Sequence, residues 1–71
     1  MPKLYSSDEI LKVLENQGFY FVSQSGSHAK YRKLGDPVLT VIVPARRKQI
    51  PKGTFSSILR QSGLKAEDFE K

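Results

Sequence analysis

Residues 19–43 read FYFVSQSGSHAKYRKLGDPVLTVIV and predict three β-strands joined by two turns. The predicted strands are residues 19–23, 28–33 and 38–43, and the predicted turns are residues 25–27 and 34–37. The strand segments are rich in aromatic and β-branched residues or alternate polar with apolar side chains, and the turns carry Gly, Ser, Asp and Pro. Such short connections favour antiparallel pairing of the three strands.

The middle strand has two chemically different faces. Ala29 and Tyr31 lie on one face, whereas His28, Lys30 and Arg32 lie on the other, because successive side chains of a strand point to opposite sides. The apolar face is the better candidate for the core. We therefore expect the face with the histidine and the two cations to be open to water.

A helix is predicted before the strands. Ser6 is a suitable N-cap, and Glu9 three residues later completes a capping box. Apolar residues at 10, 11, 13 and 14 form one stripe of this helix. Gly18 is placed to end it.

A second helix is predicted after the strands. It opens at Pro51 or Thr54 and ends at Gly63, and Phe55 and Ile58 belong to its apolar stripe. The fold class is therefore α+β, with the order α-β-β-β-α, a three-stranded antiparallel sheet and both helices on one face. Residues 1–71 are expected to form a single domain.

Composition and charge exclude several classes of protein. The chain has 71 residues and no Cys, which excludes a two-domain enzyme, a disulfide framework and a thiolate metal site. No apolar run is long enough for a membrane span, and the N-terminus does not resemble a signal peptide, so the cytoplasm is the expected compartment.

The net charge of +5 is concentrated in residues 28–53, which hold seven Lys and Arg against one Asp. A basic region of this kind suggests a polyanion such as nucleic acid. A solvated basic surface without a partner gives the same pattern.

His28 is the only histidine, and it stands among cations. An imidazole takes or gives a proton near neutral pH. RNA cleavage needs a base for the 2′-hydroxyl and positive groups for the phosphate. The alternative is an inert surface histidine. With one His, no Cys and no paired acidic motif, neither a metal nor any other cofactor is expected.

An ordered set of motifs runs through most of the chain, from about residue 4 to residue 69. Its members are Gly26-Ser27-His28, Tyr31-Arg32, Val43-Pro44, Pro51-Lys52-Gly53-Thr54 and Ile58-Leu59-Arg60-Gln61-Ser62-Gly63-Leu64. In this set the chain resembles the HicA toxins. The resemblance implies an mRNA-cleaving toxin with a fold like a double-stranded-RNA-binding domain, catalysis by His28, and neutralisation by a HicB antitoxin that covers this residue.

The chain departs from the HicA pattern at one point. Many members carry a second His shortly after the Pro that follows the third strand, but here Arg46 and Arg47 follow Pro44-Ala45. Because Arg does not exchange protons at neutral pH, His28 is the sole proton-transfer candidate. The reaction also needs a second proton transfer, and water, Ser27 and Tyr31 are the candidates for it.

The predicted RNA contacts are Lys30, Arg32, Arg46, Arg47 and Lys48. Solvated strand charges and a disordered basic loop are the alternatives for these cations. Gly26 and Ser27 are assigned to the turn, where Gly tolerates a positive φ. Tyr20, Tyr31 and the neighbouring Phe residues are expected in the core rather than stacked on bases.

Three functions fit these residues: a metal-independent ribonuclease toxin, a non-catalytic RNA-binding module, and an inactive toxin homologue that binds only its antitoxin. The missing second His motivates the third.

Overall fold

The computed structural model describes residues 3–70. Its elements are helix α1 (Ser7–Asn16), strands β1 (Tyr20–Ser25), β2 (His28–Lys33) and β3 (Leu39–Pro44), helix α2 (Lys52–Ser62) and a short 3₁₀ helix (Ala66–Phe69). The strands form one antiparallel sheet in the order β1-β2-β3. The predicted α-β-β-β-α order is confirmed.

Both ends of α1 follow from local sequence. The Ser6 hydroxyl accepts from the Glu9 N–H, and the Glu9 carboxylate accepts from the Ser6 N–H, which completes the capping box. Gly18, just after the C-cap, has φ +97°, a conformation that glycine adopts without strain. The helix thus begins and ends where the sequence predicts.

A β-bulge in β1 changes which side chains of this strand face the helices. Phe21 pairs with Tyr31, but Ser23 pairs with Lys30, so one extra residue lies between them. The alternation therefore shifts at Val22. Phe19 joins the core, whereas Tyr20 is 43% exposed on the opposite face.

Two burial predictions for the aromatic residues of β1 are therefore wrong. Tyr20 is exposed because the bulge turns it away from the helices. Phe21 packs edge-to-face on Tyr31 with ring centroids 5.8 Å apart, yet it is 53% exposed. It lies on an edge strand that makes fewer contacts with the helices than β3 does.

Strand β3 is buried on one face only. Val41 and Val43 are fully buried, while Ile42 between them is exposed on the other face. Val38 lies outside the strand and is half exposed. The predicted strand over residues 38–43 is therefore shifted by one residue, and only alternate residues of it are buried, because the helices cover only one face of the sheet.

The core lies between this covered face and the two helices. Its buried members are Ile10, Leu14, Phe19, Ala29, Tyr31, Val41, Val43, Ile50, Ile58 and Phe69. Tyr5 extends it with ring centroids 5.3 Å from Phe55 and 6.0 Å from Phe69. The predicted apolar face of β2 is confirmed, since Ala29 and Tyr31 both belong to the core.

Helix α2 lies along β3. It begins at Lys52 after Pro51, and it ends at Gly63, whose φ is +72°. The Gln61 side-chain carbonyl accepts from the Ile42 N–H at 2.8 Å. Because β3 is an edge strand, this contact satisfies a backbone donor that the sheet leaves unpaired.

Ser7 joins the start of α1 to the segment that follows β3. Its buried hydroxyl donates to the Pro44 carbonyl at 2.6 Å and accepts from the Arg47 N–H at 2.9 Å. Its own N–H donates to the Arg47 carbonyl at 2.9 Å. Residues 44–47 are thus held by three hydrogen bonds to one residue of the helix.

We expect Ser7→Ala to destabilise the fold by about 1–3 kcal/mol, because it leaves a buried carbonyl and a backbone N–H without their partner. Urea unfolding measures the change. Ser56→Ala is the control, since Ser56 is exposed on α2, and we expect it to lie within about 0.5 kcal/mol of wild type. Equal stability of the two variants would contradict the role of Ser7.

The capping box makes the stability of α1 sensitive to acid. Hydrogen bonds from the Ser6 N–H and then from Lys3 Nζ lower the pKa of Glu9 below its ordinary value of 4.5. Its contribution is therefore present above pH 4.5 and is lost as the pH falls through the lowered pKa.

We expect the stability of the Glu9→Gln variant to fall less than that of wild type between about pH 6 and about pH 2, because Gln keeps the capping hydrogen bond without the charge. Urea midpoints across this range measure the difference. Parallel curves for the two proteins would show that Glu9 does not contribute.

Candidate active site

His28 is placed by the tight hairpin between β1 and β2. The hairpin loop is Gly26-Ser27, and Gly26 has φ +58°, as the first position of a type II′ turn requires. A Cβ at Gly26 would meet nothing within 4 Å, so the backbone conformation alone explains the glycine. His28 follows as the first residue of β2, and it is exposed.

The open face of the sheet carries His28 in a row with two cations. Lys30 and Arg32 follow on the same face and are half-buried. Neighbours in this row are about 7 Å apart along the strand, given the rise of about 3.3 Å per residue. Arg32 Nε donates to the Thr40 hydroxyl at 3.4 Å, which orients its guanidinium across the sheet. The predicted open face is confirmed.

Tyr20 also lies on this open face, which sequence analysis missed. It pairs with Arg32 across β1 and β2, and its side chain is exposed on this face. An exposed aromatic ring on a face that also carries cations is a suitable platform for a nucleic acid base. Only the bulge places it there, and no residue of β1 signals a bulge in advance.

The loop with Arg46, Arg47 and Lys48 starts beside His28. Pro44 is the β3 partner of His28, and the next residue, Ala45, donates its N–H to the Ser27 carbonyl at 2.6 Å. The pairing of β2 with β3 therefore brings the first residues of this loop to the hairpin that holds the histidine.

This basic loop has a defined backbone conformation. Arg46 has φ +59°, which costs a non-glycine residue about 1–2 kcal/mol. The hydrogen bonds of Ala45 to Ser27 and of Arg47 to Ser7 flank it and hold this conformation. The side chains of Arg46, Arg47 and Lys48 are exposed. The alternative of a disordered loop does not fit these contacts.

A groove lies between His28 and helix α2. The lining residues are His28, Ile42, Pro44, Gly53, Thr54, Ser57 and Gln61, and the volume is about 390 Å³. The histidine thus stands where the open sheet face meets α2. None of the α2 residues is predicted from the sequence to belong to the site, because their approach to His28 depends on how α2 packs along β3.

The structure separates two of the candidates for the second proton transfer. Tyr31 is buried on the helix side of the sheet, away from His28, and burial together with the nearby Glu15 carboxylate raises the pKa of its hydroxyl. Ser27 is exposed and directly precedes His28. Tyr31 is therefore a core residue, as the burial prediction had it, and it does not belong to the site.

Within residues 3–70, no three His, Asp or Glu side chains are grouped so that they could hold a metal ion. No helix in the same range is both long enough and apolar enough to cross a bilayer.

A family model described as the HicA toxin of bacterial toxin–antitoxin systems matches residues 7–64. No curated protein matches the chain. The matched range includes both helices, the three strands, the Gly26-Ser27-His28 hairpin and the basic loop. Because this match spans most of the 71 residues, the chain belongs to the HicA family of toxins from bacterial toxin–antitoxin systems.

Proposed function

We propose that this toxin is an endoribonuclease that cleaves mRNA, with His28 as its general acid/base. The main support for this proposal is the position of His28, which is exposed on the open sheet face in one row with Lys30 and Arg32. The loop that holds Arg46 and Arg47 starts from the strand residue paired with it. A proton-transfer group and phosphate-binding cations thus share one accessible surface.

The proposed reaction needs only groups of this kind. His28 takes the proton of a 2′-hydroxyl, and the resulting oxygen attacks the adjacent phosphorus. The new bond joins O2′ to phosphorus, the bond to O5′ breaks, and the leaving O5′ takes a proton from water or from the Ser27 hydroxyl. The proton held by His28 passes back through solvent to the group that gave this one. Lys30 and the arginines stabilise the charge on the phosphate oxygens. The products are a 2′,3′-cyclic phosphate and a 5′-hydroxyl end.

The proposal includes a HicB-like antitoxin and cleavage in the cytoplasm, where mRNA is found. An active toxin of this design exposes His28 and its cations to solvent, so a neutralising partner has to cover the open sheet face. The positive charge of this face favours an acidic surface on that partner. Binding there excludes RNA by occupying the same groups.

We expect His28→Ala to lower RNA cleavage by about 100-fold or more, the usual contribution of a general acid/base. The measurement is cleavage of a single-stranded RNA in EDTA, with analysis of the product ends. Growth and bulk mRNA integrity after induction in a bacterial host give a second measurement. Circular dichroism and urea unfolding verify the fold, which an exposed residue at the start of a strand should alter little.

Full cleavage by His28→Ala would exclude the proposed mechanism. RNA binding without cleavage in the wild type would identify a non-catalytic binding module. Absence of both, with antitoxin binding retained, would identify an inactive homologue. EDTA-sensitive cleavage would contradict metal independence.

We expect Arg46→Ala/Arg47→Ala to weaken RNA binding and to lower the slope of log K against log salt concentration by about 1.4, since each phosphate contact on single-stranded RNA contributes about 0.7. Binding is measured in the His28→Ala background, so that the RNA stays intact. Lys12→Ala/Lys65→Ala is the matched control, because it removes the same charge from two exposed residues outside the open sheet face and the basic loop. Equal slopes for the two double variants would remove the basic loop from the RNA site.

A further inference from the structure

The groove between His28 and α2 is a second, uncharged part of the candidate site. His28, Ile42 and Pro44 come from the sheet, and Thr54 and Ser57 come from one face of α2, three residues apart. None of the lining residues is acidic. The cations predicted from sequence do not line this groove, so its chemistry comes from hydroxyl groups and the histidine.

Gln61 determines which hydrogen bonds the Ser57 hydroxyl can make. Its side-chain carbonyl accepts from the Ile42 N–H at 2.8 Å, an interaction that only the oxygen of the amide can make. Its amide nitrogen therefore faces Ser57, to which it donates at 3.2 Å. The orientation of the Gln61 amide is set by the backbone of β3.

Ser57 is consequently left with a hydrogen to donate. Its oxygen accepts from the Gln61 amide at 3.2 Å and from an Arg60 guanidinium nitrogen at 3.3 Å. Both neighbours are donors, so neither accepts the Ser57 proton. This proton is available to a ligand in the groove that Ser57 lines, and the half-buried Thr54 hydroxyl lies one turn away on the same wall.

We propose that this groove seats the scissile phosphate, with Ser57 and Thr54 donating hydrogen bonds to its non-bridging oxygens while His28 acts on the 2′-hydroxyl. The proposal rests on the ribonuclease function proposed above and assigns the phosphate a place in it. A phosphodiester oxygen only accepts hydrogen bonds, so a wall of donors without a carboxylate suits it. Ile42 and Pro44 supply an apolar surface for the attached nucleoside. In this arrangement the basic loop binds neighbouring phosphates rather than the reacting one.

The test compares Ser57→Ala, Thr54→Val and the double variant with wild type in RNA cleavage. We expect a loss in kcat/KM of about tenfold for each hydroxyl, as for hydrogen bonds to a charged group. Ser57→Thr keeps a hydroxyl and is expected to retain activity. Ser56→Ala is the control, because Ser56 is exposed on α2 and does not line the groove.

A second measurement uses an RNA of the same sequence with 2′-O-methyl groups, which cannot be cleaved by attack of the 2′-oxygen. We expect the double variant to bind it more weakly than wild type and Ser56→Ala do. Since this comparison needs no cleavage, it tests the phosphate seat even in an inactive protein.

The outcomes separate the two proposals. If Ser57→Ala/Thr54→Val cleaves and binds as wild type does while His28→Ala is inactive, the phosphate seat is wrong and the ribonuclease function stands. If wild type does not cleave, the ribonuclease function fails. Weaker binding by the double variant would then still support a phosphate-binding groove, though not its role in cleavage, and equal binding would overturn the groove as a phosphate site. Loss of activity in Ser57→Thr as large as in Ser57→Ala would show that packing, not the hydroxyl, is responsible.

Discussion

The alternation of side chains along β2 couples the core of this protein to its candidate active site. Ala29 and Tyr31 are buried against the helices, and this burial forces His28 and its neighbouring cations to the opposite face. A slip of one residue in the pairing would exchange the two faces, so the hydrophobic core specifies the register that exposes the histidine. The site is therefore secured by the same contacts that stabilise the sheet.

Buried hydroxyl groups connect the helices to the segments next to them in the fold. Ser7 holds residues 44–47 beside the start of α1, and Ser62 joins the end of α2 to Leu64 by accepting its N–H. The chain has no Cys and hence no disulfide to do this. In a small fold, such contacts order a loop that has a strained residue, Arg46, without requiring a larger core.

Charge is unevenly distributed over the fold. The acidic residues Asp8 and Glu9 are in the first turn of α1, and Glu67 and Asp68 are in the 3₁₀ helix, outside the open sheet face. The cations of β2 lie on the open face, and the loop with the exposed residues Arg46, Arg47 and Lys48 starts from the strand residue paired with His28. A basic face of this kind orients an approaching polyanion before contact, which is what the proposed RNA substrate requires.

Local sequence determined the helix ends, the antiparallel strand order and the two faces of β2, because caps, glycine turns and period-two alternation act over a few residues. The same alternation placed His28, Lys30 and Arg32 together on the face away from the core. Tertiary structure decided what depends on distant contacts: the bulge that exposes Tyr20, the left-handed Arg46 held by Ser7, and the packing of α2 along β3. The packing of α2 along β3 brings Ser57 into the groove beside His28, which is distant from it in sequence. No local pattern encodes it, since the edge of β3 has an unpaired N–H for Gln61 only once the sheet has formed.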